Sequence, residues 1–381
     1  MTEHTHNRLR VVVAPDSFKG SVAAPDVAKA LASGICRVAP DADIRCAPMA
    51  DGGEGTLDCV AARLDGQWQL ANLEAIDHAQ RPARWFVIDD GTAVVECAEV
   101  LGLPLIEQMA IPPALSARSS AALGRLIKAA LDAGATSLAV GLGGSACNDA
   151  GLGLLVALGA QAFDVHGALL TPSMDALLKL DRLDLSGLDP RLRTCPIRVL
   201  CDVDNPLLGE HGASRVYGPQ KGLTEDEIQT VEAAFERMAT AIDATPHMTR
   251  AGSGAAGGLG FALAAIGGAL ESGAKALIDI TGLATSMQAA DCVITGEGRS
   301  DRQTLSGKLP MAVAQAAHPT PTRLVCGTIA DDARAALHEH FVACHTLVER
   351  AGSVDAAMAE PARWLADVGA CIAQELIQAK R

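Results

Sequence analysis

The chain has 381 residues, of which 49% are hydrophobic, 20% are charged and only 3% are aromatic. This length and composition predict a globular α/β protein with more than one domain, and they exclude a disordered chain. The formal net charge of −14 argues against a broad nucleic-acid surface, because neutralising phosphates requires a cationic face.

The composition also indicates a reducing compartment. The 11 cysteines form no C-x-x-C pair, which favours small core residues over a disulfide framework or a zinc site. Residues 1–10 contain no apolar stretch of the kind that a secretory signal needs. The uncharged segment 251–270 is too rich in glycine and alanine to span a membrane. We therefore expect a cytoplasmic protein with no membrane partner and no nucleic-acid partner.

Two strand-loop-helix units open the chain. The apolar run at residues 10–14 predicts a strand buried on both faces, and the apolar stripe after Pro25 predicts a helix. A second strand, at residues 43–47, leads into the polar loop 49–56. Ligands of open α/β sheets collect at the carboxyl ends of strands, so the loops at 15–21 and 49–56 are candidate binding loops.

The pattern changes between residues 68 and 100. Short apolar runs on either side of Asp89-Asp90-Gly91 predict an antiparallel hairpin, and we place a domain boundary near residue 75. A helix at about residues 120–133 follows.

The stretch 141–151 joins an apolar strand to a helix through closely spaced glycines. Such a loop, together with the N–H groups of a helix start, suits an anion such as phosphate. Alternatively, the glycines form an ordinary turn and Asn148 or Asp149 caps the helix.

A dinucleotide site is a rival interpretation of the same loop. Gly141, Gly143 and Ala146 match the G-x-G-x-x-A fingerprint, and Asp164 stands where a ribose-binding acid is expected. A second glycine match, at residues 252–257, follows no buried strand. An NAD(P)-dependent oxidoreductase therefore stays open at this point.

Polar loops also follow the later strands. A strand at residues 197–201 leads to Asp202, and a breaker-rich loop at 217–222 precedes a long helix. Thr224 and Glu227 have the spacing of a capping box at the start of that helix.

The last third returns to buried strands. A strand at residues 291–294 leads into a loop at 295–301, and further strands are expected at 323–326 and 341–343. The alternation of strands and helices in both terminal thirds predicts parallel sheets.

The predicted fold is therefore a doubly wound, Rossmann-like parallel-sheet domain formed by both chain ends, with an inserted mixed α/β domain. The first domain takes residues 1–75 and 255–381, and the inserted domain takes residues 76–254. We expect the active site in the cleft between them.

The charged residues at strand ends favour a kinase. Phosphoryl transfer needs N–H groups around phosphates, cations, carboxylates for Mg²⁺ and a base for the accepting hydroxyl. The loops 141–151 and 252–258 can supply the N–H groups. The candidate cations are Lys19, Lys221, Arg299 and Lys308. The candidate carboxylates are Asp16, Asp51, Glu54, Asp149, Asp202, Asp204, Glu297 and Asp301.

Each candidate also has a purely structural interpretation. The lysines can be solvated loop residues, and the carboxylates at positions 16, 51, 54 and 301 can cap helices or fix turns. Asp202 and Asn205 can shape the turn before Pro206, and Glu297 can pair with Arg299.

Taken together, the loops resemble those of the bacterial glycerate kinase type I family. The matching segments occur in the family's order between residues 11 and 310. They are residues 14–21 (APDSFKGS), 49–56 (MADGGEGT), Gly143-Gly144-Ser145 with Asn148-Asp149, 201–207 (CDVDNPL), 218–222 (GPQKG), 252–258, and 294–299 (ITGEGR) with Gly307-Lys308.

The resemblance implies a two-domain α/β enzyme, monomeric or homodimeric, that uses ATP and Mg²⁺ to phosphorylate D-glycerate to 2-phosphoglycerate. Within this family we assign Asp202 as the base, with Asp301 as second choice, because Asp202 ends a strand beside an amide that could position it. We expect catalytic roles for Lys19 and Arg299 as well. The substrate-binding residues are expected to be Asp16, Ser17, Asp51, Gly52, Gly53 and Asn205. The ATP-binding residues are expected to be Gly143, Gly144, Ser145, Asn148, Asp149, Gly254, Gly257, Lys221 and Lys308. The Mg²⁺ ligands are expected to be Glu54 and Glu297.

The sequence departs from the family at several loop positions. The family usually has Thr where Cys147 stands, Gly where Ala150 stands and Pro where Ala251 stands, and a Thr-x-Gly-x-Gly pattern where residues 119–124 read SSAALG. These changes affect the acceptor more than the fold. A related small hydroxy acid is therefore an alternative substrate, and a non-catalytic small-molecule sensor is a further alternative.

Overall fold

The computed structural model describes residues 8–380. Residues 1–7, which contributed to the expectation of a cytoplasmic location, and residue 381 lie outside the described residues. The strands are β1 (Arg10–Pro15), β2 (Asp43–Cys46), β3 (Gly66–Glu74), β4 (Gln80–Ile88), β5 (Thr92–Glu96), β6 (Ser137–Gly141), β7 (Gln161–Phe163), β8 (Arg182–Asp184), β9 (Ile197–Cys201), β10 (Ala269–Ser272), β11 (Cys292–Ser300), β12 (Thr322–Ile329) and β13 (Ala343–Thr346). The helices are α1 (Ala24–Val38), α2 (Thr56–Ala61), α3 (Ala98–Leu101), α4 (Leu103–Glu107), α5 (Ala121–Asp132), α6 (Leu152–Ala157), α7 (Met174–Leu178), α8 (Ala213–Tyr217), α9 (Glu225–Ala241), α10 (Ala255–Ala265), α11 (Gly273–Ile280), α12 (Leu283–Gln288), α13 (Arg302–Leu305), α14 (Leu309–Ala317), α15 (Asp331–Leu337), α16 (Leu347–Ala351), α17 (Val354–Ala359) and α18 (Pro361–Ala379).

The chain divides into two compact units. The terminal unit contains the chain up to Asp51 and from Ala274 onward, and the inserted unit is Gly52–Gly273. These bounds differ from the expected ones near residues 75 and 254. The reason is strand pairing: β3 pairs with β4 along its whole length, and β10 pairs with β9. The periodicity of a single strand does not show which sheet it joins.

The terminal unit is a doubly wound parallel sheet in the order β13-β12-β11-β1-β2. The central strand β1 is a buried apolar run, as expected of a sheet with helices on both faces, whereas the edge strand β2 is largely exposed. Val27, Leu31 and Ile35 form the buried stripe of α1, which packs in one core cluster with Val368 and Ile372 of α18. The fold class predicted from the sequence is confirmed.

One strand of this unit is longer than predicted. β11 continues through residues 295–300, which the sequence suggested as a loop, and it pairs with β12 as far as Arg299 and Ser300. The two glycines at 296 and 298 hid the strand, because glycine is depleted in strand interiors. As a consequence, Glu297 and Arg299 lie on a strand rather than on a flexible loop.

The inserted unit is built on a mixed sheet in the order β10-β9-β6-β5-β4-β3. The first four strands are parallel, and β4 and β3 are antiparallel. The predicted hairpin is confirmed, with Phe86 opposite Val94 across the turn. The capping box of Thr224 and Glu227 at the start of α9 is confirmed as well.

Two observations apply to the described residues of both units. Within residues 8–380, no helix combines the length and apolar character required to cross a bilayer. Over the same residues, no disulfide joins any of the cysteines.

Candidate functional site

The strand order of the terminal unit reverses between β1 and β11. From β1 the chain crosses through α1 to β2 on one side, whereas from β11 it crosses to β12 on the other side. Open α/β sheets bind ligands in the crevice outside the carboxyl ends of strands at such a switch point. Asp16 directly follows β1, and its N–H donates to the Gly296 carbonyl of β11 at 2.8 Å. The topology therefore brings Asp16 and Glu297 to this crevice.

Asp16 is a half-buried carboxyl with an unusual proton affinity. Burial raises its pKa to about 7, and the neighbouring charges of Asp51 and Glu297 act in the same direction. The Ser17 N–H, which donates to Oδ1 at 2.6 Å, and the charge of Lys19 oppose the rise in pKa. A carboxyl with a pKa near neutrality is suited to proton transfer and marks a candidate functional site.

Lys19 and Asp51 meet at the same crevice. Lys19 Nζ lies 3.4 Å from Asp51 Oδ2, and the lysine side chain is 78% exposed. An exposed ion pair of this kind stabilises the fold little. The long cationic side chain of Lys19 can therefore reach a ligand anion at small cost to the protein.

Glu297 is held by hydroxyl groups. Ser300 Oγ and Thr304 Oγ1 both donate to Glu297 Oε1, at 2.9 and 2.7 Å. Burial raises the pKa of Glu297, and these two hydrogen bonds lower it. The partners of Glu297 among the described residues are therefore these two hydroxyl groups, and not Arg299, the pairing considered from the sequence.

The neighbouring turn contains Asp301 and Lys308. Asp301 caps α13, since its Oδ1 accepts the Gln303 N–H at 2.8 Å, so the helix-cap interpretation is confirmed for this residue. Lys308 Nζ donates to Gln303 Oε1 at 3.0 Å. Both side chains therefore have local partners.

In the inserted unit, two glycine loops contact each other through their backbones. Gly143 N–H donates to the Gly52 carbonyl at 3.2 Å. A Cβ atom on Gly141 would lie 2.4 Å from Gly52 O, and one on Gly143 would lie 2.2 Å from Gly53 Cα. Only glycine allows this approach. The glycines that suggested contact with a phosphate thus have a structural reason as well.

Asp149 lies at the buried end of the 141–151 loop. Its carboxylate accepts the N–H and hydroxyl of Ser120, and the N–H groups of Gly151 and Gly153, at 2.8 to 3.2 Å. Burial raises its pKa, and these donors oppose the rise. The N-cap of α6 is Gly151 and not Asp149, although the Asp149 carboxylate does accept the N–H of Gly153 in the first turn of the helix.

Two buried cations lie beneath the same loop. Lys221 is only 4% exposed, and its Nζ donates to Ser145 Oγ at 3.1 Å and to the Cys147 carbonyl at 2.8 Å. Arg118, which the sequence did not single out, donates to the carbonyls of Ala146 and Lys221 at 3.2 and 2.9 Å. Burial lowers the pKa of both groups. The loop 141–151 is therefore bound by two cationic side chains, and their charge favours an anion nearby.

The second glycine run supports the first. Ala150 N–H donates to the Gly257 carbonyl at 3.0 Å, and a Cβ atom on Gly257 would lie 2.3 Å from Cys147 O. Gly254 N–H donates to the Asn205 carbonyl at 2.9 Å. Gly254 and Gly257 are both buried, so this run packs against backbone.

Asp202, Asn205 and Tyr217 form a half-buried group after β9. Tyr217 Oη donates to Asn205 Oδ1 at 2.6 Å, and Asn205 Nδ2 donates to the His211 carbonyl at 2.8 Å. Burial raises the pKa of Tyr217, and the charge of Asp202 adds to the rise. Tyr217 was not a candidate from the sequence, although it begins the breaker-rich loop 217–222.

The geometry does not favour the dinucleotide interpretation. In that motif the glycine turn leads directly into a helix, whereas here α6 begins only at Leu152. Asp164 accepts the N–H groups of His166 and Ala168 within its own turn, both at 2.9 Å. Asp164 is therefore a turn residue.

Comparison with known proteins decides the family. Residues 11–377 match the model of the glycerate kinase family. The chain is 38% identical over 357 residues to "Glycerate 2-kinase" of Escherichia coli K12, covering 92% of this chain and 93% of the relative. It is also 38% identical over 381 residues to "Glycerate kinase" of Bacillus subtilis 168, covering 98% and 99%.

The chain belongs to the glycerate kinase family. It is accordingly an enzyme and a kinase. A crystal structure from Salmonella typhimurium LT2, assigned provisionally as glycerate kinase 2, has a TM-score of 0.84 and 34% sequence identity, covering 98% of this chain and 100% of the other. These comparisons support neither the oxidoreductase nor the sensor.

Three carboxyl groups of the terminal unit, those of Asp16, Asp51 and Glu297, lie near one another. Asp51 and Glu297 both raise the pKa of Asp16, and a cation would relieve this repulsion. Within residues 8–380, no group of three or more His, Cys, Asp or Glu side chains is placed to hold a metal ion. Mg²⁺ rarely needs such a group, because it is usually held by one or two carboxylates together with substrate phosphates. Glu54, the other expected ligand, is exposed on its loop in the inserted unit.

Two of the departures from the glycerate kinase pattern, Cys147 and Ala150, lie in the buried part of the loop 141–151. Cys147 is fully buried, and Ala150 has φ +51°, in the left-handed region where glycine is unstrained. Alanine there costs about 1 kcal/mol. The backbone conformation that suits glycine is thus kept with alanine.

Proposed function

We propose that this enzyme transfers the γ-phosphoryl group of ATP to D-glycerate and forms 2-phosphoglycerate. The observation that carries the proposal is the carboxyl group of Asp16 at the switch point of the terminal unit, beside Lys19, Asp51 and Glu297. Family membership supports phosphoryl transfer, and the name of the Escherichia coli relative supports the 2-hydroxyl as acceptor.

The exposed cations of the terminal unit are proposed to bind glycerate. Glycerate is a small anion, so its carboxylate needs a cation or N–H groups. Lys19 and Arg299 are both exposed. Lys19 follows β1 and Arg299 lies on β11, the two strands at the switch point. Ser17 and Asp51 would bind the hydroxyl groups, and Gly52, Gly53 and Asn205 stay proposed substrate-binding residues.

The loop 141–151 is proposed to bind the phosphates of ATP. Gly143 and Gly144 are its accessible part, and Lys221 and Arg118 supply positive charge beneath it. Ser145, Asn148, Asp149, Gly254 and Gly257 would act by holding the loop in shape. Lys308 stays a proposed phosphate contact, and Glu54 and Glu297 stay proposed metal ligands.

The acceptor hydroxyl must lose a proton as its oxygen bonds to phosphorus. Asp202 is the proposed base, and Asp16 replaces Asp301 as second candidate because Asp301 caps a helix. Mg·ATP, when bound, supplies the phosphoryl group and offsets the charge that develops on it. The bond from the γ-phosphorus to the bridging oxygen breaks, and ADP leaves.

Three finer expectations stay predictions. The departures at Cys147 and Ala150 keep a related small hydroxy acid as an alternative acceptor. The cytoplasmic location and the monomeric or homodimeric state rest on the sequence alone.

The test uses the purified protein with Mg·ATP and a panel of small hydroxy acids, with coupled detection of ADP and NMR of the product. We expect ADP release to be fastest with D-glycerate and phosphorus to appear on the 2-oxygen. No ADP release with any acid would refute the kinase proposal. A faster reaction with another acid would make that acid the proposed acceptor in place of glycerate. Phosphorus on the 3-oxygen would make the product the 3-phosphorylated acid in place of 2-phosphoglycerate.

A further inference from the structure

Glu96 is a buried carboxyl group to which the proposed function gives no role. Glu96 is the last residue of β5 in the inserted unit, and it is 3% exposed. Its Oε1 accepts the N–H of Leu57 at 2.6 Å. Leu57 lies in the first turn of α2, which follows the loop 52–55 directly.

Helix α2 needs an acceptor from elsewhere. Its N-cap is Gly55, with φ +91°, and no side chain at the N-cap accepts a hydrogen bond. The first N–H groups of a helix have no partner within the helix, and a glycine cap cannot supply one. Glu96 supplies the missing acceptor from a neighbouring strand. The contact therefore ties the loop 52–55 to the sheet.

The same strand end also holds the other glycine loop. The N–H of Cys97 donates to the Gly141 carbonyl at 2.9 Å, and its Sγ donates to the Gly143 carbonyl at 3.1 Å. Gly143 in turn donates to the Gly52 carbonyl. Residues 96 and 97 thus fix two loops that contact each other through their backbones.

We propose that Glu96 is a positioning residue, which holds the loop 52–55 in the conformation that binds the acceptor. This inference rests on the proposed function, in which Gly52 and Gly53 bind the substrate. Glu96 acts through the start of α2, and it does not itself touch the substrate.

Two carboxylates near Glu96 are both paired with Arg84. Glu99 and Asp58 lie near Glu96, and both pair with Arg84, at 2.9 and 3.0 Å. Burial raises the pKa of Glu96 to about 7, so the carboxyl is neutral for part of the time at physiological pH. A neutral glutamine, which keeps the same acceptor oxygen, should therefore replace it well.

The experiment compares Glu96→Ala and Glu96→Gln with the wild-type enzyme. Steady-state kinetics give kcat and the KM for D-glycerate and for ATP, and hydrogen exchange of residues 52–57 reports on the loop without any need for activity. Losing one buried hydrogen bond of this kind corresponds to about a tenfold change. For Glu96→Ala we expect a tenfold higher KM for glycerate, tenfold faster exchange at Leu57 and nearly unchanged KM for ATP. Glu96→Gln should restore both values to within about threefold.

The matched control is Glu99→Ala, which removes a carboxylate bonded to Arg84 instead of to the loop. It should leave the exchange at Leu57 unchanged. Wild-type KM and wild-type exchange in Glu96→Ala would overturn the inference, and so would a Glu96→Gln variant as impaired as the alanine. If Glu96→Ala does not fold, Glu96→Asp, which moves the carboxyl group one methylene away from Leu57, takes its place with the same expectations. An inactive wild-type enzyme would refute the proposed function, whereas the exchange data would still decide whether Glu96 anchors the loop.

Discussion

The carboxyl ends of the strands look alike in sequence in the two units, but their charged groups have different surroundings. In the terminal unit, Asp16 is half-buried with a pKa raised to about 7, and Lys19 beside it is 78% exposed. In the inserted unit, Asp149 and Lys221 are buried, and each has partners within the unit.

The difference separates two uses of charge at a strand end. A group whose hydrogen bonds are all made by the protein fixes a loop, because breaking them would leave buried donors unpaired. A group that is only partly satisfied, and whose pKa is shifted by burial and like charges, is available for a ligand. We therefore expect substitutions in the inserted unit loop to reduce stability, and those in the terminal unit crevice to reduce activity.

The largest effect is expected for Asp149→Ala. This change leaves the donors of Ser120, Gly151 and Gly153 buried without an acceptor, and we expect a loss of about 4 kcal/mol in the free energy of unfolding. Chemical denaturation measures it. The control is Asp164→Ala, which removes an acceptor from an exposed turn and should cost about 1 kcal/mol. A loss below 1 kcal/mol in Asp149→Ala would contradict the structural role.

The second largest effect is expected for Asp202→Asn, and it concerns turnover. If Asp202 is the base, kcat falls by roughly 10²-fold, equivalent to about 2.7 kcal/mol, while the free energy of unfolding changes little. Steady-state kinetics with saturating Mg·ATP and glycerate measure it, with Asp204→Asn as an exposed neighbour that should keep normal turnover. A near-normal kcat in Asp202→Asn would show that Asp202 is not the base, and Asp16 would become the first candidate.

Asp16→Asn tests the shifted pKa through stability. The pKa of Asp16 in the folded protein is about 7, above its ordinary value of 3.8, so the folded state binds the proton more tightly than the unfolded state. Its contribution to stability is complete below pH 3.8 and is lost as the pH rises through 7. The stability gain of the variant over the wild type should therefore grow by about 2 kcal/mol between about pH 5 and pH 8.

Denaturation at both pH values, without divalent cations, measures this gain. Asp26→Asn, at an exposed position in α1, is the control and should show no such pH dependence. A gain that does not change with pH would show that Asp16 titrates normally.

The smallest effect is expected for Lys19→Ala. Its ion pair with Asp51 is exposed, so the free energy of unfolding should change by less than about 0.5 kcal/mol. The KM for glycerate should nevertheless rise about tenfold, because the substrate carboxylate loses a cation. Lys29→Ala, an exposed lysine of α1, should leave both quantities unchanged. An unchanged KM in Lys19→Ala would remove Lys19 from the substrate site.

Local patterns were sufficient for most of the fold. The apolar run of β1, the stripe of α1 and the capping box of α9 were recognisable because each depends on residues close together in the chain. The local pattern does not show that β11 continues through residues 295–300 or that β3 pairs with β4, because strand continuation and sheet membership depend on partners far away in sequence.

The candidate site shows the same division. The sequence by itself determined which loops carry charge and glycine, and that they follow strands. Only the tertiary structure decided which charges are buried and saturated, because burial and hydrogen-bond partners come from distant segments: Ser120 for Asp149, Cys147 for Lys221 and Leu57 for Glu96. Glu96 and Arg118 carried no local signal, since a carboxylate at the end of a strand and an arginine in a loop acquire their roles only from what packs around them.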